Sequence, residues 1–199
     1  MTTPDWNARY SEPGYAYGTQ PNLFLVESIH RIPRGPVLSL GEGEGRNAVF
    51  LASQGYAVHA VDGSPVGLAK ARALAADRGV QIETEVADLA AYAIPPGTFA
   101  GIVSIFLHLP REHRARLHAQ VSQGLAPGGV FLLEAYGPEQ LTFGTGGPRT
   151  PDRLAGVEEL QAELPGLEWI IARETDRDVV EGRYHLGPAA VVQLLGVKP

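Results

Sequence analysis

A glycine-rich segment and two aspartates are the residues of this sequence best suited to binding a cofactor. Gly41-Glu42-Gly43-Glu44-Gly45 directly follows a short apolar run, and glycines let a backbone turn sharply and approach a ligand closely. A helix beginning after such a turn offers unpaired N–H groups and the positive end of its dipole. Asp62 comes twenty-one positions after Gly41 and could accept both hydroxyls of a ribose. Asp88 follows a later predicted strand, where an adenine amino group could donate to it.

Other interpretations of these residues stay open. The dinucleotide pattern G-x-G-x-x-G would need glycine at position 46, where this chain has Arg46, and that counts against NAD. The sequence contains no G-x-x-x-x-G-K-[ST] loop for a nucleoside triphosphate. The glycines could serve only a tight turn, and Asp62 and Asp88 could serve only a helix start or a turn.

A second group of residues could act on a substrate. His108 follows the fourth predicted strand, and Tyr184 and His185 precede the last one. A histidine whose pKa lies near the working pH could remove a proton, or it could only position the acceptor, or it could be a structural loop residue. Glu134 and Tyr136, at the end of the fifth predicted strand, are further candidates.

The remaining histidines predict no metal site. His113 and His118 lie on one predicted helix but about 140° apart around it, so they do not share a face, and we expect both to be solvated. His30 and His59 have no partner in the sequence and are expected to be structural. Since there is also no cysteine and no spaced ligand set, we expect activity to need no metal.

Aromatic residues are concentrated near the N-terminus. Trp6, Tyr10, Tyr15 and Tyr17 could surround a cationic ligand, or they could simply anchor a terminal segment on the core. We expect residues 1–35 to form a lid or cap, because they precede the first predicted strand. A glycine-rich loop at 144–148 could contact substrate or serve only as a connector.

These residues must be positioned by alternating strands and helices. Apolar runs and turn residues predict strands at 37–40, 56–61, 80–86, 99–107, 130–136, 167–173 and 189–197, and helices at 46–53, 65–77, 111–125 and 152–164, with Ser64 as an N-cap and Gly79 as a stop.

The alternation predicts an α/β fold with a mostly parallel sheet, helices on both faces and right-handed crossovers. In such sheets ligands bind beyond the carboxyl ends of the strands. With 199 residues, the chain is expected to form a single domain, 1–199.

The motifs together resemble the class I S-adenosylmethionine-dependent methyltransferases over residues 5–198. The turn Leu125-Ala126-Pro127-Gly128-Gly129 completes the pattern set by the glycine segment and Asp62. A narrower resemblance, to the tellurite-resistance/thiopurine-methyltransferase-like branch, rests on the segments 6–10, 15–18, 21–25, 45–48, 103–110 and 181–185.

This resemblance implies a Rossmann-like sheet of seven strands with the last antiparallel, and S-adenosylmethionine as cofactor. It implies that Gly41, Gly43 and Gly45 face the methionine part, Asp62 the ribose and Asp88 the adenine. Many members have an acidic residue two before the first glycine, where this chain has Ser39, and Glu42 and Glu44 could compensate. The residues expected to bind the cofactor are Gly41, Glu42, Gly43, Gly45, Arg46, Asn47, Asp62, Gly63, Ser64, Ala87, Asp88, Leu89, Ser104, Trp6, Tyr10 and Tyr17.

Composition excludes several classes of protein. Apolar residues make up 44% of the chain and charged residues 19%, which is typical of globular domains rather than disordered ones. The net charge of −6 argues against nucleic acid as the main partner, and the lack of cysteine excludes a disulfide framework. No signal peptide or membrane span is apparent, so we expect a cytoplasmic protein.

Three functions therefore remain. The first is methyl transfer to a small-molecule acceptor, governed mainly by positioning of the acceptor for in-line displacement. The second is a non-catalytic S-adenosylmethionine-binding or sensor module, and the third, disfavoured by Arg46, is a dinucleotide-dependent oxidoreductase. The acceptor atom is not encoded in any motif, so tellurite, thiols, halides and small metabolites all stay open.

Overall fold

A computed structural model describes residues 5–199 as one seven-stranded sheet with helices packed on both faces. The strand order is β3-β2-β1-β4-β5-β7-β6, with β7 antiparallel to both neighbours and the other pairs parallel. This confirms the predicted fold class. The strands are β1 (Pro36–Leu40), β2 (Ala57–Asp62), β3 (Glu83–Val86), β4 (Phe99–Ile105), β5 (Leu125–Tyr136), β6 (Glu168–Glu181) and β7 (His185–Val197).

The helices pack against the two faces of the sheet. None of them, within residues 5–199, is long and apolar enough to cross a bilayer. They are α1 (Trp6–Tyr10), α2 (Leu23–Ser28), α3 (Arg46–Ser53), α4 (Pro65–Asp77), α5 (Arg111–His118), α6 (Val121–Gly124), α7 (Gln140–Phe143) and α8 (Val157–Glu163).

Alternation along the central strands divides the core between the two faces of the sheet. Successive side chains of a strand point to opposite faces, so each strand contributes to both layers. Every residue of β4 is buried because both faces are covered. One layer contains Leu38, Ile102 and Phe131, and the other contains Val37, Val103 and Leu132.

The strand order predicts where a ligand would bind along the sheet. The chain leaves β1 toward β2 on one side, and β4 lies on the other side, so the strand order reverses beside β1. A crevice at such a point, beyond the carboxyl ends of the strands, is where ligands bind in open α/β sheets. The glycine segment follows β1, Asp62 ends β2, and His108 follows β4, so all three meet at this edge.

Two predicted helices are wrong in extent. The helix predicted over 111–125 is two helices, α5 and α6, and Leu125 already has extended geometry as the first residue of β5. The helix predicted over 152–164 is a 3₁₀ turn at Pro151–Arg153 followed by α8, because Leu154 and Gly156 are extended between them.

The last hairpin is longer than predicted. β6 and β7 continue pairing to Glu181 and His185, well past the predicted limits of 167–173 and 189–197. The missed half of β6 is rich in charged residues because it is an edge strand that faces water, so it lacks the apolar run on which the prediction depended. His185 is therefore the first residue of the last strand, not a residue before it.

Candidate functional site

The glycine segment forms a tight turn between β1 and α3. The N–H groups of Gly41 and Glu42 donate to Val61 O at 2.9 and 3.2 Å, which fastens the turn to β2. Gly43 has φ 62° and Gly45 has φ 98°, in the left-handed region that favours glycine. A Cβ on Gly45 would lie 2.6 Å from Ala71 Cα, so the glycine also lets α3 pack against α4.

Asp62 links the second strand to this turn. Its Oδ2 accepts from Gly43 N at 2.8 Å and its Oδ1 accepts from Ser64 N at 2.7 Å. Burial raises the pKa of Asp62, while the two N–H donors act in the opposite direction. A carboxylate has about four acceptor sites, so two backbone bonds leave capacity for ribose hydroxyls.

Glu42 caps the N-terminus of α3, a role that the sequence did not indicate. Its Oε1 accepts from Asn47 N and Ala48 N, both at 3.0 Å, so it satisfies free N–H groups at the start of α3. Its other oxygen bonds the Ser39 hydroxyl. The carboxylate thus lies against Ser39, the residue for which Glu42 was expected to compensate. Burial raises the pKa of Glu42.

Glu44 ties the N-terminal segment to the site. It accepts from Ala16 N at 2.7 Å and from Lys70 Nζ, on α4, at 2.8 Å. Lys70 also donates to the carbonyl oxygens of Glu12 and Gly14. One carboxylate and one ammonium group therefore join the N-terminal segment, the glycine turn and α4.

Helix α1 lies over the glycine turn. A Cβ on Gly43 would lie 2.7 Å from Tyr10 Oη, and one on Gly67 would lie 2.8 Å from Tyr10 Cδ2, so the tyrosine occupies the space left by two glycines. The Ser64 hydroxyl donates to Asn7 Oδ1 at 2.6 Å. Of residues 1–35, which are predicted to form a lid, helix α1 therefore lies over the glycine turn; residues 1–4 lie outside the described residues.

The other aromatic residues extend from this helix toward the substrate side. Trp6 stacks on Tyr10 with ring centroids 5.7 Å apart, and Tyr17 lies 6.5 Å from both rings. Tyr17 in turn lies 4.5 Å from the ring of His185. The predicted cofactor and substrate residues are thus connected by one continuous series of ring contacts.

Asp88 and its neighbours have weaker geometric support. Asp88 is exposed, and its Oδ1 accepts from Ala90 N at 3.0 Å, as a turn-forming aspartate does. Ala87 N donates to Asp62 O, and Leu89 is buried in the core. Gly63 follows Asp62 at the same sheet edge, and Ser104 is buried near the end of β4. The adenine role of Asp88 stays a prediction.

A strained residue lies beside the residues that are predicted to face the substrate. Phe106 directly follows β4 and has φ 53°, a conformation that is rare for a bulky side chain and that tends to occur at functional sites. Its N–H donates to Glu134 O at 2.7 Å, which holds this geometry. The ring of Phe106 lies 4.6 Å from Tyr136, 4.7 Å from His185 and 6.2 Å from His108.

His108 is held in a neutral state. Its ring stacks on Tyr136 at 5.5 Å, and its Nδ1 lies 3.4 Å from Arg153 O. Nε2 is buried and has no hydrogen-bond partner among the described residues. Burial, followed by the influence of His185, lowers the pKa of His108 to about 3. This favours a positioning role over a proton-accepting one, because a group so weakly basic binds a proton poorly near neutral pH.

Tyr184 and His185 face different surroundings although they are adjacent. The Tyr184 hydroxyl donates to the Glu12 carboxylate at 2.9 Å, and its ring lies against Arg9, so it joins the N-terminal segment. His185 lies among the rings of the substrate side. The 144–148 loop packs on the same rings, since a Cβ on Gly147 would lie 2.6 Å from Tyr136 Cδ2.

A buried polar network beside these rings was missed by the sequence analysis. Glu134 and Glu181 are joined there to two arginines and two amides from distant parts of the chain. The sequence analysis named Glu134 and the segments 21–25, 45–48 and 181–185, but no spacing pattern indicates that these residues meet. The contacts are Asn22 Nδ2 to Glu134 at 2.7 Å and to Glu181 at 3.0 Å, Arg46 Nη2 to Glu181 at 2.6 Å, Gln193 Nε2 to Glu134 at 2.5 Å, and Arg177 with both acids.

His118 is not solvated, contrary to expectation. It is 3% exposed and its Nδ1 lies 2.8 Å from the Glu163 carboxylate, which Arg114 also binds. The reason is that α8 packs over α5 and covers the histidine. His59, at the opposite edge of the sheet, contacts Glu83 and Glu85.

Part of the chain matches a known protein family, and curated proteins are similar to it. Residues 37–129 match the methyltransferase-domain family. A curated relative, a 2-heptyl-1-hydroxyquinolin-4(1H)-one methyltransferase of Mycobacteroides abscessus, is 27% identical over 130 residues, covering 63% of this chain and 57% of the relative. The chain spans about half the length, or less, of the curated relatives it matches.

Solved structures share the fold at low sequence identity. TehB from Haemophilus influenzae is 22% identical with a TM-score of 0.71, over 88% of this chain and 61% of that one. A phosphoethanolamine N-methyltransferase 2 from Haemonchus contortus, solved in complex with S-adenosyl-L-methionine, is 17% identical with a TM-score of 0.70, over 99% of this chain and 60% of that one.

Proposed function

We infer that this chain is a class I S-adenosylmethionine-dependent methyltransferase and that it transfers a methyl group to a small-molecule acceptor. The observation that carries the inference is the meeting of the glycine turn, Asp62 and the aromatic residues at one edge of the sheet. A glycine turn alone would serve many nucleotides. Its combination with a strand-end carboxylate and an aromatic enclosure suits a nucleoside that bears a sulfonium cation.

The residues present fit S-adenosylmethionine. The turn at Gly41–Gly45 and the carboxylate of Asp62 would hold the amino acid and ribose parts, and Tyr10 would cover them. When bound, this cofactor supplies a methyl group on a positively charged sulfur. The chain's own contribution is to orient the acceptor and exclude water, and such positioning can supply several kcal/mol.

The acceptor is expected to lie among the rings of Phe106, Tyr136 and His185. His108 and the 144–148 loop border the same rings, which makes this the best-supported place for a second substrate. The quinolone methyltransferase relative supports a small-molecule acceptor, and no charge pattern here favours nucleic acid.

An acceptor screen tests the proposal. The protein is incubated with S-adenosylmethionine and a panel of thiols, hydroxylated heteroaromatics, amines, halides and tellurite, and S-adenosylhomocysteine is measured by a coupled homocysteine assay. We expect turnover with at least one small molecule, and less turnover with Asp62→Ala when the cofactor concentration is below the KM of the wild type. Tight binding of S-adenosylhomocysteine without any turnover would instead support the sensor function. Absence of cofactor binding would overturn both.

A further inference from the structure

We propose that Glu181 is the positioning residue of His185, and that the two form a carboxylate–imidazole pair in which His185 accepts the proton of the methyl acceptor. The proposal rests on the proposed methyl transfer and deepens it. It assigns separate roles to two histidines that the sequence could not distinguish. Among residues 5–199, no carboxylate contacts the His108 ring, whereas Glu181 lies beside the ring of His185.

The geometry places an anion beside one nitrogen of His185. Nδ1 lies 3.6 Å from Glu181 Oε2, and this nitrogen is buried with no hydrogen-bond partner among the described residues. The separation is longer than a hydrogen bond, yet within the range of an ion pair with a protonated ring. Because Nδ1 faces the carboxylate, Nε2, the ring's other nitrogen, is the one left for a substrate.

Glu181 is itself fixed from several directions. Arg46 binds Oε2 at 2.6 Å, and Asn22 binds Oε1 at 3.0 Å. Arg46 is the first residue of α3, directly after the glycine turn. The carboxylate that faces His185 is therefore bound to α3, the helix that follows the glycine turn. This contact fixes the position of His185 relative to the turn that would bind the cofactor.

The buried ionic network beside His185 carries no net charge. Two buried carboxylates, Glu134 and Glu181, face two guanidinium groups, Arg46 and Arg177. Burial lowers the pKa of His185, and Glu181 opposes this effect. The ring therefore starts neutral, and the imidazolium formed by proton uptake has an anion in place. The titratable or charged groups that face His185 are Glu181, Arg46, Arg9, Tyr17, His108 and Tyr136.

Methyl transfer is accompanied by proton transfer to His185. A lone pair of the acceptor atom forms the bond to the methyl carbon, and sulfur keeps the electron pair of the bond it loses. The proton of the acceptor atom passes to His185 Nε2, and the resulting imidazolium is stabilised by Glu181 until the proton leaves to water. This is the general arrangement in which a carboxylate orients a histidine base.

Histidine side-chain ¹⁵N NMR on the S-adenosylhomocysteine complex tests the pair without any acceptor. Comparison with His185→Gln assigns the resonances. In the wild-type protein we expect His185 to be neutral at pH 7 with its proton on Nδ1. Glu181→Gln should lower the pKa of His185 further and move its proton partly to Nε2.

A matched control is available elsewhere in the chain. Glu163 also contacts an arginine and a histidine, Arg114 and His118, so Glu163→Gln should change only the His118 resonances. With an acceptor from the screen, Glu181→Gln should lower kcat by about 10²–10⁴-fold with little change in the KM for cofactor. Glu163→Gln should leave kcat unchanged.

Several outcomes would overturn the proposal. One is a wild-type His185 that carries its proton on Nε2, and this can be read even if Glu181→Gln fails to fold. Another is a folded Glu181→Gln variant whose His185 titrates as in the wild type. Either result, obtained while S-adenosylhomocysteine still binds, would reject the pair and leave the proposed methyl transfer standing. Loss of cofactor binding in the wild type would instead reject the proposed function itself.

Discussion

Asp62 Oδ2 accepts a hydrogen bond from Gly43 N at 2.8 Å, so the carboxylate expected to bind ribose also fixes the glycine turn. The same side chain accepts from Ser64 N at the start of α4. One residue therefore joins the ends of β1 and β2 to the helix that follows. Its substitution should affect the shape of the turn as well as a direct contact to the cofactor.

Asp62→Ala is accordingly expected to weaken binding of S-adenosylhomocysteine by roughly 1.5–3 kcal/mol, the range for hydrogen bonds to charged groups. Titration calorimetry measures the change. Asp88→Ala is the matched control: Asp88 is exposed and bonds Ala90 N within its own turn, so it should lose less. Equal affinity of Asp62→Ala and the wild type would show that Asp62 does not bind ribose.

Removal of residues 1–20 should weaken cofactor binding while the sheet remains folded. The deletion uncovers Gly43 and Gly67, against which Tyr10 packs, and removes the Ala16 N–H that binds Glu44. Calorimetry with S-adenosylhomocysteine measures the loss of binding. Thermal unfolding of the shortened chain shows whether the sheet remains folded. If the shortened chain binds as tightly as the full one, Tyr10 only anchors the segment.

The pH dependence of stability should show the contribution of Glu181. Burial alone would raise its pKa, but contacts with His185 and Arg46 outweigh burial and lower the pKa to about 2 from 4.5. A lowered carboxyl pKa contributes stability that is present above the unfolded value and is lost as the pH falls through the folded one. The contribution is about 3 kcal/mol at most above pH 5.

Urea unfolding of the wild type and Glu181→Gln from pH 7 to pH 2 measures this contribution. The difference in the free energy of unfolding should be largest above pH 5 and shrink steadily between pH 4.5 and 2. A difference that stays constant over the whole range would mean that the variant loses packing or hydrogen bonds rather than a charge interaction.

The strands and helices around the cofactor could be predicted because their signals are local. The helices at 46–53 and 65–77 have the predicted limits, since Ser64 and the flanking glycines mark their ends within the sequence. The outer half of β6 could not be predicted, because an edge strand facing water has no apolar run. The break between α5 and α6 has no local breaker, and its geometry follows from packing in the fold.

The site divides in the same way. The turn at Gly41–Gly45 and the position of Asp62 at a strand end could be predicted, because turns and strand ends have characteristic residues. The contacts of Glu134 with Asn22 and of Glu181 with Arg46 could not be predicted, since these partners are more than a hundred positions away in the chain. The burial of His118 depends on α8, which is equally remote. Ion pairs between residues that are remote in the chain depend on the fold, and no periodic pattern in the sequence predicts them.

His108 provides the last test, because its two possible roles predict different kinetics. Burial lowers its pKa to about 3, so it is neutral throughout the working range and cannot produce an inflection near pH 6–7. We therefore expect His108→Ala, assayed with an acceptor from the screen, to keep the pH–rate profile of the wild type. The loss of one uncharged contact should raise the acceptor KM by about 2- to 10-fold, corresponding to 0.5–1.5 kcal/mol. His113→Ala, on α5, is the control and should change neither constant. A fall of about 10²–10⁴ in kcat together with the loss of an inflection near pH 6–7 would contradict this and make His108 the base.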